Sequence, residues 1–108
     1  MAQTISVSPG DGVSRVATAS YLDTGTVAAY TFTIGFTPKY VRFSNVTSRD
    51  MLEWFEGMDA ASAVKTVAAG TRTLITSLGV TVSGNQVTLG LDTDVNVTSE
   101  QVRALFIG

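Results

Sequence analysis

Two short stretches of this 108-residue chain carry residue types that could do chemistry. The first is LEWFEGM, residues 52–58, in which Glu53 and Glu56 bracket a Trp-Phe pair. Two carboxyls can share general acid and base work only if they converge on one bond. On a strand, Met51, Glu53 and Phe55 face one way and Leu52, Trp54 and Glu56 the other, so these two diverge. Their reading is therefore structural: Trp54 or Phe55 packs the core, and the glutamates sit at strand ends or on a contact surface. The second stretch is DTDVN, residues 92–96, which opens like a calcium loop with Asp92, Asp94 and Asn96 at alternating positions. The sixth position is then Val97, where the turn needs Gly, and the twelfth is Arg103, where a bidentate Glu is required. A polar turn between strands is expected there, and no metal.

Composition narrows the chemistry further. The chain has neither His nor Cys, which excludes a Ser-His-Asp triad, a thiol nucleophile, a disulfide and the usual zinc ligand sets. Seven basic residues stand against nine acidic ones, for a net charge of -2. The basic residues Arg15, Lys39, Arg42, Arg49, Lys65, Arg72 and Arg103 are scattered singly, so no nucleic-acid partner is expected. The start, MAQTISVSPGDG, has no basic n-region or apolar run, and no stretch has the apolar length of a bilayer-spanning helix, so synthesis and residence in a cytosol are expected. Two N-x-T tripeptides, at Asn45 and Asn96, read as chance occurrences in a Thr-rich chain. An enzyme, a cofactor and a membrane partner are all unexpected on these grounds.

The elements that must position these residues are strands. From Thr26 to Phe36, Ala28, Tyr30, Phe32, Ile34 and Phe36 alternate with polar positions, which is the pattern of a half-buried strand. Thr37-Pro38 ends it, and KYVRFSNV follows as a second strand expected to pair with the first or lie beside it. TRTLIT (71–76) and the alternation at Val80 and Val82 lead into Gly84-Asn85, a two-residue hairpin loop, after which Val87, Leu89 and Leu91 resume. QVRALFI makes a last strand. Asp59 to Gly70 has a possible helix N-cap and stop, but the β-branched Val64, Thr66 and Val67 weigh against a helix. The pattern predicts an all-β domain over 23–108, a β-sandwich or jelly-roll-like barrel of seven or eight antiparallel strands. Residues 1–22, rich in Ser, Ala and Thr, read as a flexible N-terminal arm. The expected core is Tyr30, Phe32, Ile34, Val41, Phe43, Val80, Val82, Val87 and Leu89.

The run GFTPKYVRFSNVTSRDMLEWFEGM (35–58), followed by GTRTLITSLGVTVSGNQVTLG (70–90), resembles small virion structural proteins of tailed bacteriophages, of the kind that decorate or cement the capsid. The resemblance covers about half the chain. It rests on the Gly-Phe-Thr-Pro turn before a strand, the Asn-Val-Thr after it, the Glu-Trp-Phe-Glu-Gly-Met segment and the Gly-Val-Thr-Val hairpin. It implies a β-sandwich assembled in symmetric copies, a binding role on the capsid surface, and synthesis in a bacterial host. Similar segments suit tail and baseplate accessory proteins. The rival class is a carbohydrate-binding module using Tyr21, Tyr40 or Trp54 as stacking platforms.

Several strands are apolar on both faces: Tyr40 lies opposite Val41 and Phe43, Trp54 opposite Phe55, and Leu105 and Ile107 opposite Val102, Ala104 and Phe106. A domain this small cannot bury both faces of every strand. A dimer or trimer is therefore expected, with Tyr40, Trp54, Leu105 and Ile107 supplying contacts to a neighbouring copy or to the major capsid protein, and the N-terminal arm ordering on the shell.

Overall fold

The computed structural model describes residues 15–22 and 28–108. Eight strands follow one another: β1 (Val16–Leu22), β2 (Tyr30–Thr33), β3 (Tyr40–Asn45), β4 (Asp50–Phe55), β5 (Ser62–Thr66), β6 (Arg72–Ser83), β7 (Gln86–Leu89) and β8 (Gln101–Ile107). All pairings are antiparallel, in the order β1-β8-β3-β4-β5-β6-β7-β2, and the one sheet curls into a half-barrel. The all-β antiparallel expectation holds. No helix occurs among the described residues, and the Asp59–Gly70 segment contains β5 instead. Gly70 ends no helix: at φ 94 it closes a turn in which its N–H donates to the Val67 carbonyl at 2.8 Å. The stretch 1–22 divides: 1–14 lies outside the described residues, while Val16–Leu22 is β1, paired with β8 over its whole length.

Alternation sets the two faces. Across β1, β8, β3 and β4, the register aligns Ala19, Ala104, Phe43 and Leu52 on the concave side, with Ala17, Phe106, Val41 and Trp54 in the next row. Val41, Phe43, Val80, Val87 and Leu89 are fully buried as expected, joined by Leu52, Trp54, Ala63, Val95, Val102, Ala104 and Phe106. Phe32, Ile34 and Val82 pack against this core only partly buried, and Tyr30 is half-buried with its ring 4.8 Å from that of Tyr21.

The sheet closes over its own core. β2 and β3 are not ladder neighbours: β2 pairs with β7, and Phe32 crosses the interior to meet Phe43 at 5.6 Å and Phe106 at 6.0 Å between ring centroids. The connection carries the chain from one wall to the other, helped by Gly35 at φ 87 and the buried Pro38. The register breaks along β6. Its first half pairs with β5 and its second with β7, and the register jumps where Ala63 faces Ile75 but Ser62 faces Val80. Extra residues on one strand bend it and increase its twist. At this bend three backbones approach closely: Gly79 N–H donates to Ala61 C=O at 3.0 Å, and Gly90 N–H to Gly79 C=O at 2.9 Å.

The close approach makes the two glycines non-interchangeable with turn glycines elsewhere. A Cβ on Gly90 would lie 2.7 Å from the backbone of Leu78, whereas one on Gly84 would meet nothing. Gly84 instead needs its φ of 58, the one positive φ in the two-residue β6–β7 loop, as a type II′ turn requires. Gly90→Ala should therefore destabilise by about 1–3 kcal/mol through overpacking, and Gly84→Ala by about 1 kcal/mol through backbone strain. Urea unfolding of the two variants checks the order; equal costs would remove the steric account of the bend.

Candidate contact surface and the polar plug

Glu53 and Glu56 do not converge. Glu53 sits mid-strand on the convex face, where it accepts a hydrogen bond from the Tyr40 hydroxyl at 2.6 Å and an ion pair from Arg72 at 3.2 Å. Glu56 has left the strand for the turn 55–58, which Gly57 makes possible at φ 95 and the Met58 N–H closes on the Phe55 carbonyl at 3.1 Å. Burial, and after it the Glu53 carboxylate, push the Tyr40 phenol up to about 12, because a phenolate there would be poorly solvated and would face a negative charge.

DTDVN is a polar plug. The loop between β7 and β8 crosses the open end of the half-barrel and drops Val95, fully buried, into the core. Asp92 Oδ1 accepts the N–H groups of Asp94 and Val95 at 3.0 and 3.1 Å, while Oδ2 lies 3.1 Å from Lys65 Nζ. Asp94 holds the same ammonium at 2.5 Å. Both oxygens of Asp92 are thus engaged by protein donors, and among the described residues no cluster of three metal-binding side chains occurs. Burial pushes the Lys65 ammonium down in pKa, but its bonds to Asp94 and Asp92 more than offset this, and the net direction is upward.

The two N-x-T asparagines finish the plug. Asn96 is buried and donates both amide hydrogens, to Ala28 C=O and Gly90 C=O at 2.9 Å each, while its Oδ1 accepts from the Tyr21 hydroxyl at 3.0 Å. Asn45 is likewise buried, donating to Val95 C=O at 3.1 Å and Glu100 Oε1 at 2.7 Å, and accepting from the N–H groups of Thr47 and Ser48. Ser48 Oγ also bonds Glu100 Oε1. Sequence reasoning treated these tripeptides as chance; the only local signal was an Asn placed where a strand meets a turn.

The four residues expected at a contact surface separate by face. Tyr40 and Ile107 lie side by side on the convex face, with Leu105 diagonal to Tyr40 on β8. Trp54 points the other way, 7% exposed in the core, with an indole N–H that meets no acceptor among the described residues. Its place on the convex side is taken by Phe55, whose ring is 5.2 Å from that of Tyr40. In register, Val16, Ile107, Tyr40 and Phe55 form one row across four strands. Val16, Ile107 and Phe55 are all exposed. Beside the row, Thr18, Ser20, Arg42, Ser44, Arg103 and Leu105 line a shallow hollow of about 550 Å³. Neither guanidinium in it makes an ion pair among the described residues. Compared with protein-family models, curated proteins and solved structures, the chain matches none.

Two outcomes test this site. Asp92→Ala leaves Lys65 short of a buried partner and two backbone N–H groups unbonded, and should cost about 3 kcal/mol or more, whereas Asp94→Ala, at a half-exposed carboxylate, should cost under about 1 kcal/mol. Calcium at millimolar levels should leave the melting temperature unchanged. For Lys65 and Tyr40 the folded pKa lies above the unfolded one, so the stability each contributes is complete below about pH 10 and is lost as pH rises through the folded value. Alkaline melts should then fall more steeply in the wild type than in Lys65→Met. The phenolate absorbance lost in Tyr40→Phe should titrate near pH 12, and earlier in Glu53→Gln.

Proposed function

We propose that this chain is a non-enzymatic structural subunit of a bacteriophage virion, a head decoration or cement protein that binds and stabilises the capsid surface as a symmetric oligomer. The observation that carries this reading is the row Val16, Ile107, Tyr40 and Phe55, an apolar band on the outside of a sheet whose inside already holds the core. Large apolar side chains aligned across neighbouring strands mark a surface that is covered in the working assembly. The adjoining hollow adds direction. Two guanidiniums and three hydroxyls, from Arg42, Arg103, Thr18, Ser20 and Ser44, suit an acidic side chain of the shell at the rim of an apolar contact.

A tail or baseplate accessory protein would use the same band, and the choice between head and tail falls to experiment. The carbohydrate-binding alternative has less support. Of its three platforms, the Trp54 ring is buried and the Tyr21 ring packs on Tyr30 and Phe32, leaving Tyr40 alone on the convex face.

Co-sedimentation with purified phage heads, tails and empty shells tests the proposal. The wild type is expected to pellet with heads and shells, and Phe55→Asp and Ile107→Asp, at exposed positions of the row, to weaken that binding tenfold or more while leaving the melting temperature within a few degrees. Binding to tails alone would move the assignment to the tail, and retention of a glycan but no virion part would replace it with the carbohydrate reading.

A further inference from the structure

The sheet order ends on β1 at one side and on β2 at the other, so each of these strands has an edge with no ladder partner among the described residues. Which backbone groups face outward along β1 follows from one bond. Gly108 N–H donates to Arg15 C=O at 2.8 Å, so the Arg15–Gly108 pair is a hydrogen-bonded one. Such pairs recur at every second residue of an antiparallel ladder. Ala17, Ala19 and Tyr21 therefore bond β8, and the N–H and C=O groups of Val16, Thr18, Ser20 and Leu22 point away from it. Among the described residues nothing else bonds them.

Natural sheets blunt such edges with lysines, prolines, bulges or short strands. β2 is short, at four residues. β1 has none of these devices: it is seven residues, VATASYL, without charge, proline or glycine, in unbroken register with β8. We propose that this edge is where a second copy of the chain docks, β1 against β1, antiparallel about a two-fold axis through Ala19. This rests on the oligomeric part of the function proposed above and names the surface that joins the copies.

The strand's own pattern selects that register. A two-fold at Ala19 sets Val16 opposite Leu22 of the second copy and Thr18 opposite its Ser20, so every pair that exchanges backbone hydrogen bonds is made of residues whose groups point outward, while Ala17 facing Tyr21 and Ala19 facing Ala19 are the non-bonded pairs. About eight backbone hydrogen bonds result, two for each of four pairs. Val16 and Leu22, 58% and 53% exposed on the convex face, then cover each other at both ends of the joint. On the concave side the axis brings Ala19 against Ala19, where nothing large obstructs the approach. The contact is isologous and uses up both edges it joins, so it closes as a dimer and does not propagate.

The test uses full-length protein at about 50 μM, where a micromolar dimer is nearly complete. Mass by light scattering should be that of a dimer. Thr18→Pro removes an N–H that bonds nothing within the subunit, and Thr18→Lys puts a charge on the exposed edge; both should be monomeric, with a β-sheet circular dichroism spectrum. The Lys variant alters no backbone group, and it decides the question if the Pro variant fails to fold. In the wild type, the amides of Thr18 and Ser20 should exchange slowly and lose that protection on dilution. A monomeric wild type, a dimer that survives Thr18→Lys, or freely exchanging Thr18 and Ser20 amides within a dimer would overturn the proposal. Head binding of the same samples separates this from the function above: Ile107→Asp should lose the shell and keep the dimer, and a chain that binds heads as a monomer would sink the β1 joint alone.

Discussion

A single sheet that curls over its own core has an open end, and this fold depends on stopping that end with a loop whose buried polar side chains, Asp92 and Asn96, are bonded within the protein. Val95 can be fully buried only because the backbone around it is paired: Asp92 takes two of its N–H groups, Asn45 takes its carbonyls, and Asn96 ties the neighbouring carbonyls of Ala28 and Gly90. A buried backbone group without a partner costs about 1–3 kcal/mol, so a loop left unbonded in this position would cancel the gain from burying a valine. The donors come from the wall opposite the loop. Tyr21, Asn45 and Lys65 are inward-facing residues of β1, β3 and β5, and each reaches a different part of the same plug.

That arrangement consumes most of the polar side chains that could have been functional. Asp92 and Asp94 neutralise one partly buried ammonium, Asn45 and Asn96 serve as braces, and Glu53 is held by Tyr40 and Arg72. The contrast with the convex face is physical. Inside, Asn45, Lys65, Asp92 and Asn96 each have protein partners; outside, Arg42 and Arg103 line a hollow and make no ion pair among the described residues, next to a band of exposed apolar rings and chains. Desolvating that band on a partner is favourable at about 25 cal/mol per Å².

How much of this could be read from the sequence depends on the range of the signal. Alternation is local, and it located β3, β8 and the β6–β7 hairpin and the opposed faces of Tyr40 and Phe43. It also placed Trp54 and Phe55 back to back, yet it could not say which of the two faces inward, because both faces of β4 are apolar and only the curl of the whole sheet makes one of them concave. The partner of β2 was illegible for the same reason: a short connection through Thr37-Pro38 suggests strands that pair or lie side by side, but here it crosses the core, β2 pairs with β7, and Phe32 meets β3 by stacking. The bend in β6 rests on Gly79 and Gly90, whose need for bare backbone appears only when Ala61 and Leu78 are brought alongside.

The same curl explains why the outer surface and the free edge belong together. A closed barrel would have no edge strand. A half-barrel keeps both liabilities: its convex side is broad, and β1 and β2 end the ladder without meeting, although their inner rings, Tyr21 and Tyr30, touch. Extending the sheet through β1 would place the row that starts at Val16 beside Leu22 of the second copy, so the edge contact and the apolar band become parts of one continuous surface. An isolated subunit exposes both, and covering either one brings the other closer to complete burial.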